Sequence, residues 1–278
     1  MTALAPRTLV LTATAMVAFA ANSLLCRQAL GTGAIDAVSF TTLRLCAGAA
    51  TLTLLARRRA SGGSWSAAAF LFAYALCFSL AYRSIAAGTG ALLLFGAVQV
   101  TMLAAGLRAG ERPPRRAWLG LLLAVIGLVV LVAPGLAQPD PLGALLMAAA
   151  GVAWGQYSLR GRGSTSPLRA NADNFARCVP FAVLASLLGL LAAPAMVTAT
   201  GALLAIASGA LASGIGYAIW YAALPRLRAS QAAIVQLTVP PLAAFGGVLL
   251  LGETADQRLV LASAAILGGV ALAVSGRR

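Results

Sequence analysis

The chain has 278 residues, of which 61% are hydrophobic and only 9% are charged. A soluble domain carries charge on about a quarter of its residues, so this composition excludes a water-soluble fold and indicates a membrane protein. The net charge is +14, but the arginines stand singly or in small groups between apolar runs, which argues against nucleic-acid binding. The four cysteines lie in or beside apolar runs without metal-ligand spacing, and we interpret them as small packing residues.

Ten apolar runs follow one another along the chain, each near the roughly 20 residues that a helix needs to cross a bilayer. They cover approximately 8–27, 36–56, 65–82, 88–107, 117–133, 141–159, 170–191, 200–223, 229–251 and 257–275. The predicted fold class is therefore an all-α membrane protein with ten transmembrane helices. The ninth run contains Pro240-Pro241, which predicts a break inside that helix because proline removes a backbone donor and clashes with the preceding turn.

The arginines between the runs predict the orientation in the membrane. With both termini in the cytoplasm, the cytoplasmic side carries fifteen arginines, namely Arg7, Arg57, Arg58, Arg59, Arg108, Arg112, Arg115, Arg116, Arg160, Arg162, Arg169, Arg226, Arg228, Arg277 and Arg278. The other side carries only Arg27, Arg83 and Arg258. Positive residues favour the cytoplasmic face, so an even number of spans with both termini inside is expected.

The two halves of the chain resemble each other. "GAVQVTMLAAGLRAGE" (96–111) and "TVPPLAAFGGVLLLGE" (238–253) are both apolar and both end in Gly-Glu. Arg27 and Arg44 match Arg160 and Arg177 at one common offset. We predict two five-helix repeats, residues 1–137 and 138–278. Five is odd, so the second repeat is inverted, which is typical of secondary transporters with a site near the bilayer midplane.

Other functional classes find less support in the residues. A membrane enzyme needs acids, bases or metal ligands within the membrane, and the chain has no histidine and six acidic residues, mostly at helix ends. We therefore expect no enzymatic activity, no cofactor and no metal. A membrane scaffold or sensor that transports nothing remains the alternative from a different class.

With its two Gly-Glu ends, the arginines Arg44 and Arg177, "AGVAWGQYSLRGR" (150–162) and the prolines of the ninth helix, the chain resembles the EamA-type members of the drug/metabolite transporter superfamily over essentially its whole length. The resemblance implies a basket of ten helices whose third, fourth, eighth and ninth members line a central cavity, and export of amino acids or other small metabolites. Two departures are Ala21-Asn22 where many members have tryptophan, and Val98-Gln99 opposite Pro240-Pro241.

Polar and aromatic residues inside the spans are the candidate substrate-binding residues. Glutamine can bind an ammonium or a carboxylate, aromatic rings suit an apolar side chain, and a broken helix offers free carbonyls. Interhelical hydrogen bonds and packing are the alternatives for each of them. The candidates are Asn22, Phe95, Gln99, Trp154, Tyr217, Trp220, Gln236 and Pro240.

A second group is assigned to gating or structure. It consists of Arg44, Tyr82, Arg177, Tyr221 and Pro241. Tyr82 and Tyr221 lie near span ends, which favours an interfacial aromatic belt. An intramembrane arginine costs at least about 2.5 kcal/mol unless it snorkels or is paired. Asp173 is one turn before Arg177 and predicts an ion pair. For Arg44, a carboxylate clamp, a gate and a snorkelling anchor are all compatible with the sequence.

The expected partners are a small-molecule substrate, an amino acid or related metabolite, and the lipid bilayer. No nucleic acid is expected, and we predict a monomer in the bacterial cytoplasmic membrane. A multidrug or nucleotide-derivative carrier is the alternative within transporters. It is disfavoured because a cationic drug needs a buried acid and a nucleotide sugar needs several basic residues at the cavity.

Overall fold

The computed structural model describes residues 6–56, 62–132, 140–162, 164–253 and 257–274. Within these ranges ten helical segments follow one another, which confirms the predicted all-α fold class. The first seven are α1 (Pro6–Gly31), α2 (Ala37–Ala56), α3 (Trp65–Ala81), α4 (Ala87–Arg108), α5 (Arg115–Val132), α6 (Pro141–Gly161) and α7 (Pro167–Ala192). The last three are α8 (Ala199–Arg226), α9 in two parts (Ala229–Gln236 and Val239–Leu251) and α10 (Gln257–Val274).

Helices α8 and α9 depart from regular geometry. The middle of α8 is a π-helix over Ser208–Ile215, between regular stretches at Ala199–Ala207 and Gly216–Ala223. Helix α9 is interrupted by a turn at Leu237-Thr238, and its second part begins at Val239 with two prolines in its first turn. Proline is tolerated in a first helical turn because its missing N–H would have no intrahelical partner there. The break predicted from Pro240-Pro241 is present.

The pattern of the main helix contacts is unchanged when each of the first five helices is replaced by the helix five places later, and the reverse. Helices α2 and α7 pack on each other, as do α5 and α10, and α4 and α9. The contact of α3 with α6 has its counterpart in the contact of α8 with α1, and α4 with α6 corresponds to α9 with α1. These contacts of the first five helices are thus repeated by the last five.

Close helix approaches depend on glycine at particular positions. A Cβ on Gly209 of α8 would lie 2.2 Å from the carbonyl oxygen of Arg44 in α2. A Cβ on Gly151 of α6 would lie equally close, at 2.2 Å, to the carbonyl oxygen of Leu94 in α4. Small residues allow membrane helices to approach backbone to backbone. These glycines therefore permit the close packing of α8 on α2 and of α6 on α4.

The outer surface is apolar. Seven of the described helices are long and apolar enough to cross a membrane, and α3 is a shorter apolar helix. Large hydrophobic side chains point outward along these helices, among them Leu54, Val100, Leu122, Leu191 and Leu250. Such a surface is stable in lipid, and the chain is a multi-pass membrane protein. Of the arginines used to predict orientation, Arg57, Arg58, Arg59, Arg277 and Arg278 lie outside the described residues.

Candidate functional site

Arg44 lies at the centre of the helix bundle. It is the eighth residue of α2 and belongs to the buried face of that helix. Only 1% of its surface is exposed. Its Nε donates to Ser213 Oγ at 3.1 Å. Its Nη2 donates to the hydroxyls of Tyr74 at 3.1 Å and Tyr217 at 3.0 Å. The guanidinium also lies 5.2 Å and 5.1 Å from the ring centroids of Tyr74 and Phe78, within cation–π range.

The hydroxyl of Tyr74 joins this arginine to a second polar pair. It accepts hydrogen bonds from Tyr217 Oη at 3.1 Å and from Asn22 Nδ2 at 3.3 Å, besides the bond from Arg44. Asn22 Oδ1 in turn accepts from Ser208 Oγ at 2.6 Å. The network connects α1, α2, α3 and α8, and hydrogen-bond donors outnumber acceptors around it.

The π-helix in α8 places two serines in this network. Ser208 bonds Asn22 and Ser213 bonds Arg44, although they are five residues apart. In an α-helix such residues point about 140° apart, whereas the wider π-turn, with its i→i+5 hydrogen bond, brings them closer to one side. The π geometry therefore directs Ser208 and Ser213 to the same side, and π-turns of this kind occur frequently at functional sites.

A closed aromatic cavity lies beside the polar network. Its volume of about 10 Å³ is close to that of one water-sized sphere. It is lined by Phe19, Ser23, Tyr74, Phe78, Leu94, Phe95, Trp154 and Tyr217. These residues come from α1, α3, α4, α6 and α8, whereas the family resemblance implies a substrate cavity lined by α3, α4, α8 and α9. A small-molecule site has about 300–1,000 Å³, so substrate entry requires these rings to move.

The break in α9 is tied to the cavity through Trp154. Its Nε1 donates to Gln236 Oε1 at 2.7 Å. Gln236 Nε2 donates to the carbonyl of Ala232 at 2.8 Å, one turn earlier in the same helix. From α4, Gln99 Nε2 donates to the carbonyl of Ala233, while Gln99 Oε1 is buried without a hydrogen-bond partner. A movement of α9 at the break would therefore change the hydrogen bond that Gln236 makes with the indole of Trp154.

Two glutamates form matching junctions at opposite ends of the bundle. Glu111 follows α4 and accepts a bond from Ala229 N, the first residue of α9, at 3.0 Å. Glu253 follows α9 and accepts from Ala87 N, the first residue of α4, at 3.1 Å. A carboxylate at a helix N-terminus satisfies an unpaired N–H and interacts favourably with the helix dipole. Each of the two helices is thus fixed at its start by the glutamate that follows the other.

An arginine completes each junction. Arg162 lies 3.8 Å from Glu111 and donates to the carbonyl of Leu227 at 3.2 Å. Arg27 lies 3.8 Å from Glu253 and donates to the carbonyl of Tyr82 at 3.2 Å. The counterpart of Arg27 in this role is therefore Arg162, not Arg160, the residue that the sequence comparison aligned with it.

The glycine before each glutamate adopts the left-handed conformation, with φ of 81° at Gly110 and 67° at Gly252. Side chains other than glycine are strained there. Each glutamate folds back over its own helix, because a Cβ on Gly106 or Gly247 would meet its carboxylate at 2.9 Å or 2.2 Å. The repeated Gly-Glu pair is thus explained by the turn and by the junction it forms.

The predicted substrate-binding residues divide into three groups in space. Phe95, Trp154 and Tyr217 line the cavity. Asn22 and Gln236 each bond a residue that lines it. Trp220 packs behind Phe19, with ring centroids 5.7 Å apart, and Gln99 and Pro240 lie by the break in α9.

The residues assigned to gating or structure also separate. Tyr82 and Tyr221 do not form an interfacial belt, because both are buried and donate to the carbonyls of Ala87 and Tyr157. Arg177 forms the expected pair with Asp173 at 3.0 Å. Pro241 lies in the first turn after the break. Arg44 does not snorkel, since its guanidinium is bonded inside the bundle.

Sequence reasoning missed five residues of the central cluster, namely Phe19, Tyr74, Phe78, Ser208 and Ser213. Tyr74 was detectable as a tyrosine in the middle of the third apolar run. The serines had no such signal, because a π-turn cannot be recognised from their spacing.

A larger cavity of about 1,320 Å³ lies at one end of the bundle, among the ends of α1, α2, α3, α6 and α7. Asp36 borders it and accepts hydrogen bonds from the backbone N–H groups of Val38, Ser39 and Met196 at 2.9–3.1 Å. Burial raises the pKa of Asp36, but these hydrogen bonds outweigh it and hold the pKa below its ordinary value. This carboxylate caps α2, and its hydrogen bonds from three backbone N–H groups already satisfy it.

Comparisons with known proteins agree with this architecture. The sequence profile of the EamA-like transporter family matches residues 141–275. An uncharacterized protein of Pseudomonas aeruginosa is 56% identical over 278 residues, covering 98% of this chain and 96% of its own. A protein of known crystal structure superposes with a TM-score of 0.72 at 24% identity, covering 94% of this chain and 98% of its own; at this identity the likeness concerns the fold alone.

Proposed function

We propose that the chain, whose residues 141–275 match the EamA-like transporter family, is a membrane transporter of small solutes and exports amino acids by alternating access. In this proposal residues 1–137 and 138–278 are two inverted halves. The protein acts as a monomer in the bacterial cytoplasmic membrane, with both termini in the cytoplasm. The substrate binds in the central aromatic cavity, which is closed in the described conformation.

The observation that carries the proposal is the pair of glutamate junctions at opposite ends of the bundle. One joins Glu111 and Arg162 to the start of α9, and the other joins Glu253 and Arg27 to the start of α4. Alternating access requires two equivalent closures, one on each side of a single site. Releasing either junction would separate α4 from α9 at one end only.

The symmetric helix contacts support the same mechanism. Helices α2 and α7, α4 and α9, and α5 and α10 pair across the two halves. If the two halves exchange conformations, the same helix pairs stay in contact. The cavity then opens at the opposite end of the bundle. The break at Leu237-Thr238 gives α9 a point at which such a bend can occur.

The chemistry of the cavity supports an amino acid with an apolar side chain. Aromatic rings from five helices offer an apolar surface, and hydroxyl, amide and guanidinium groups lie directly beside it. No Asp or Glu of the described residues is fully buried, which disfavours a cationic drug. A single buried arginine carries too little charge for a nucleotide diphosphate.

Efflux from proteoliposomes tests the proposal. The purified chain is reconstituted in liposomes loaded with radiolabelled phenylalanine, leucine or alanine, and efflux is compared with that from protein-free liposomes. We expect saturable efflux of at least one amino acid. Saturable flux is the property that separates a transporter from a scaffold.

A proline variant links the flux to the broken helix. In the double substitution Pro240→Leu, Pro241→Leu, α9 can form a continuous helix, and we expect efflux to fall several-fold. Pro113→Leu, Pro114→Leu changes the other adjacent proline pair, which precedes α5, and is the matched control. If no amino acid shows saturable efflux from the folded protein, the amino-acid assignment is wrong.

A further inference from the structure

The donors of Arg44 are only partly used. A guanidinium has five N–H donors and no acceptor. The one on Nε bonds Ser213, and the two on Nη2 bond Tyr74 and Tyr217. The remaining two belong to Nη1, which is buried without a hydrogen-bond partner. Buried donors without a partner are rare in folded proteins and call for an explanation.

The charge of Arg44 is also unbalanced. Among the described residues the ion pairs are Arg27 with Glu253, Arg162 with Glu111, and Arg177 with Asp173. None of them involves Arg44, whose side chain is surrounded by hydroxyl groups and aromatic rings. Intramembrane charges normally pair with one another or mark the path of a substrate.

The guanidinium of Arg44 contacts side chains that line the cavity assigned to the substrate. Tyr74 and Phe78 line that cavity and contact the guanidinium directly, and Tyr217 both lines it and accepts from Nη2. A ligand that moved these rings apart would reach the guanidinium. It would meet a group with two free donors and one uncompensated positive charge.

We propose that Arg44, with Tyr74 and Tyr217, is the receptor for the carboxylate of the transported substrate, while the aromatic rings hold its apolar side chain. This inference rests on the proposed function, because it takes the central cavity as the transport site. One carboxylate supplies one negative charge and two acceptor oxygens, which matches the one charge and the two free donors of Arg44. A bound carboxylate would replace the missing counter-ion.

The surroundings favour an anion over a neutral or cationic group. Donors from Arg44, Tyr217 and Asn22 converge on Tyr74 Oη, which has only two acceptor lone pairs, so hydrogen-bond donors are in excess at this hydroxyl. A cation would add a further positive charge and further donors. A neutral amide would satisfy the donors only in part and would leave the charge unbalanced.

Three probes that differ at one group test the proposal on the unmodified chain. Phenylalanine has both carboxylate and amine, phenylalaninamide lacks the carboxylate, and 3-phenylpropanoate lacks the amine. Each competes with efflux of radiolabelled phenylalanine from proteoliposomes, and each is tested for a rise in the melting temperature of the protein in detergent. We expect phenylalanine and 3-phenylpropanoate to compete, and phenylalaninamide to be at least about tenfold weaker, as expected for loss of a buried charge-assisted pair.

Two conservative substitutions assign the effect to the arginine. Arg44→Lys keeps the charge but removes the planar fork of donors, and we expect the preference for carboxylate probes to fall by about tenfold. Arg177→Lys is the matched control, because Arg177 is paired with Asp173 and is 31% exposed; the preference should be unchanged. The melting temperature without ligand identifies any variant that has not folded.

Each outcome separates this proposal from the proposed function. Equal competition by phenylalanine and phenylalaninamide would overturn carboxylate recognition but leave amino-acid transport intact. An unchanged preference in Arg44→Lys would overturn the role of Arg44 alone. No response to any of the three probes, together with no amino-acid efflux, would overturn both.

Discussion

Helices α2 and α7 pack against each other and occupy corresponding places in the two halves, yet their arginines differ completely. Arg177 lies at the edge of the bundle, bonds Asp173 one turn away, and stacks 5.1 Å above Trp65. Arg44 lies in the centre and has no carboxylate partner among the described residues. A paired, partly exposed arginine is a structural element, whereas an unpaired buried one is stable only if something else compensates its charge.

The difference arises at one aligned position. At the offset that relates Arg44 to Arg177, Asp173 corresponds to Phe40, which is fully buried. The first half therefore has an apolar core residue where the second half has a counter-ion. The arginine is thus present at both aligned positions and the carboxylate at only one, and this asymmetry can be tested by substitution.

The largest effect is expected when α2 is given the counter-ion of α7. In Phe40→Asp, a carboxylate stands four residues before Arg44, the spacing that brings Asp173 to 3.0 Å from Arg177. It would occupy the donors proposed for the substrate. We expect efflux of amino acids from proteoliposomes to fall by about tenfold or more, which corresponds to about 1.4 kcal/mol of competition.

The control is Phe40→Asn, which removes the same ring without adding a charge. Truncating a buried phenylalanine costs about 3–5 kcal/mol of stability, and both variants share that loss. The comparison is therefore between Asp and Asn at equal melting temperature. Equal efflux in the two variants would show that Arg44 does not need to be unpaired.

An intermediate effect is expected at the two glutamate junctions, where the halves are alike. Glu253→Gln keeps an acceptor for Ala87 N but loses the charge facing Arg27. These pairs are partly exposed and worth about 0.2–1 kcal/mol, so the balance between conformations should shift by a factor of about 1.4–5. We expect faster labelling of a cysteine placed at Ser23 by a membrane-impermeant maleimide added at the Glu253 end.

Glu111→Gln is the mirror experiment, because it weakens the junction with Arg162 at the other end. It should accelerate labelling of the same cysteine from that end instead. The native cysteines are replaced first, so that only position 23 reacts. Acceleration from the same end in both variants would contradict the assignment of the junctions to opposite closures.

The fold was predictable because apolar length and duplication are properties of the sequence itself. Ten runs predicted ten helices, Pro240-Pro241 predicted the break in α9, and Asp173 predicted its pair with Arg177. The resemblance to the EamA-type family is confirmed by the profile match over residues 141–275. Such features depend on neighbours along the chain, which is why one sequence suffices to find them.

The centre was predicted only in part because it depends on contacts between distant segments. Ser208 and Ser213 reach the network only through the π-helix of α8, and a one-residue change of helical register is not visible in composition. The sequence left three interpretations open for Arg44, since burial cannot be read from its position in a span. Tyr82 and Tyr221 lie near span ends but are covered by neighbouring helices, which corrects the belt interpretation.

The smallest effect concerns the starts of α2 and α7. Asp36 caps α2 with hydrogen bonds from Val38 and Ser39, whereas Ser166 before α7 makes no such bond. Because the pKa of Asp36 is lowered in the folded protein, the stability it contributes is complete above the ordinary value of 3.8. That contribution disappears as the pH falls through the lower folded value.

Melting temperatures in detergent between about pH 2.5 and 6 measure this contribution directly. Asp36→Asn should remove part of the loss of stability seen on acidification, since asparagine can cap a helix without titrating. Ser166→Ala, at the start of α7, should leave the pH dependence of the melting temperature unchanged. Parallel loss of stability in Asp36→Asn and in the unmodified chain over this range would assign the acid sensitivity to other carboxylates. It would also show that the cap of α2 contributes no more to stability than the uncapped start of α7.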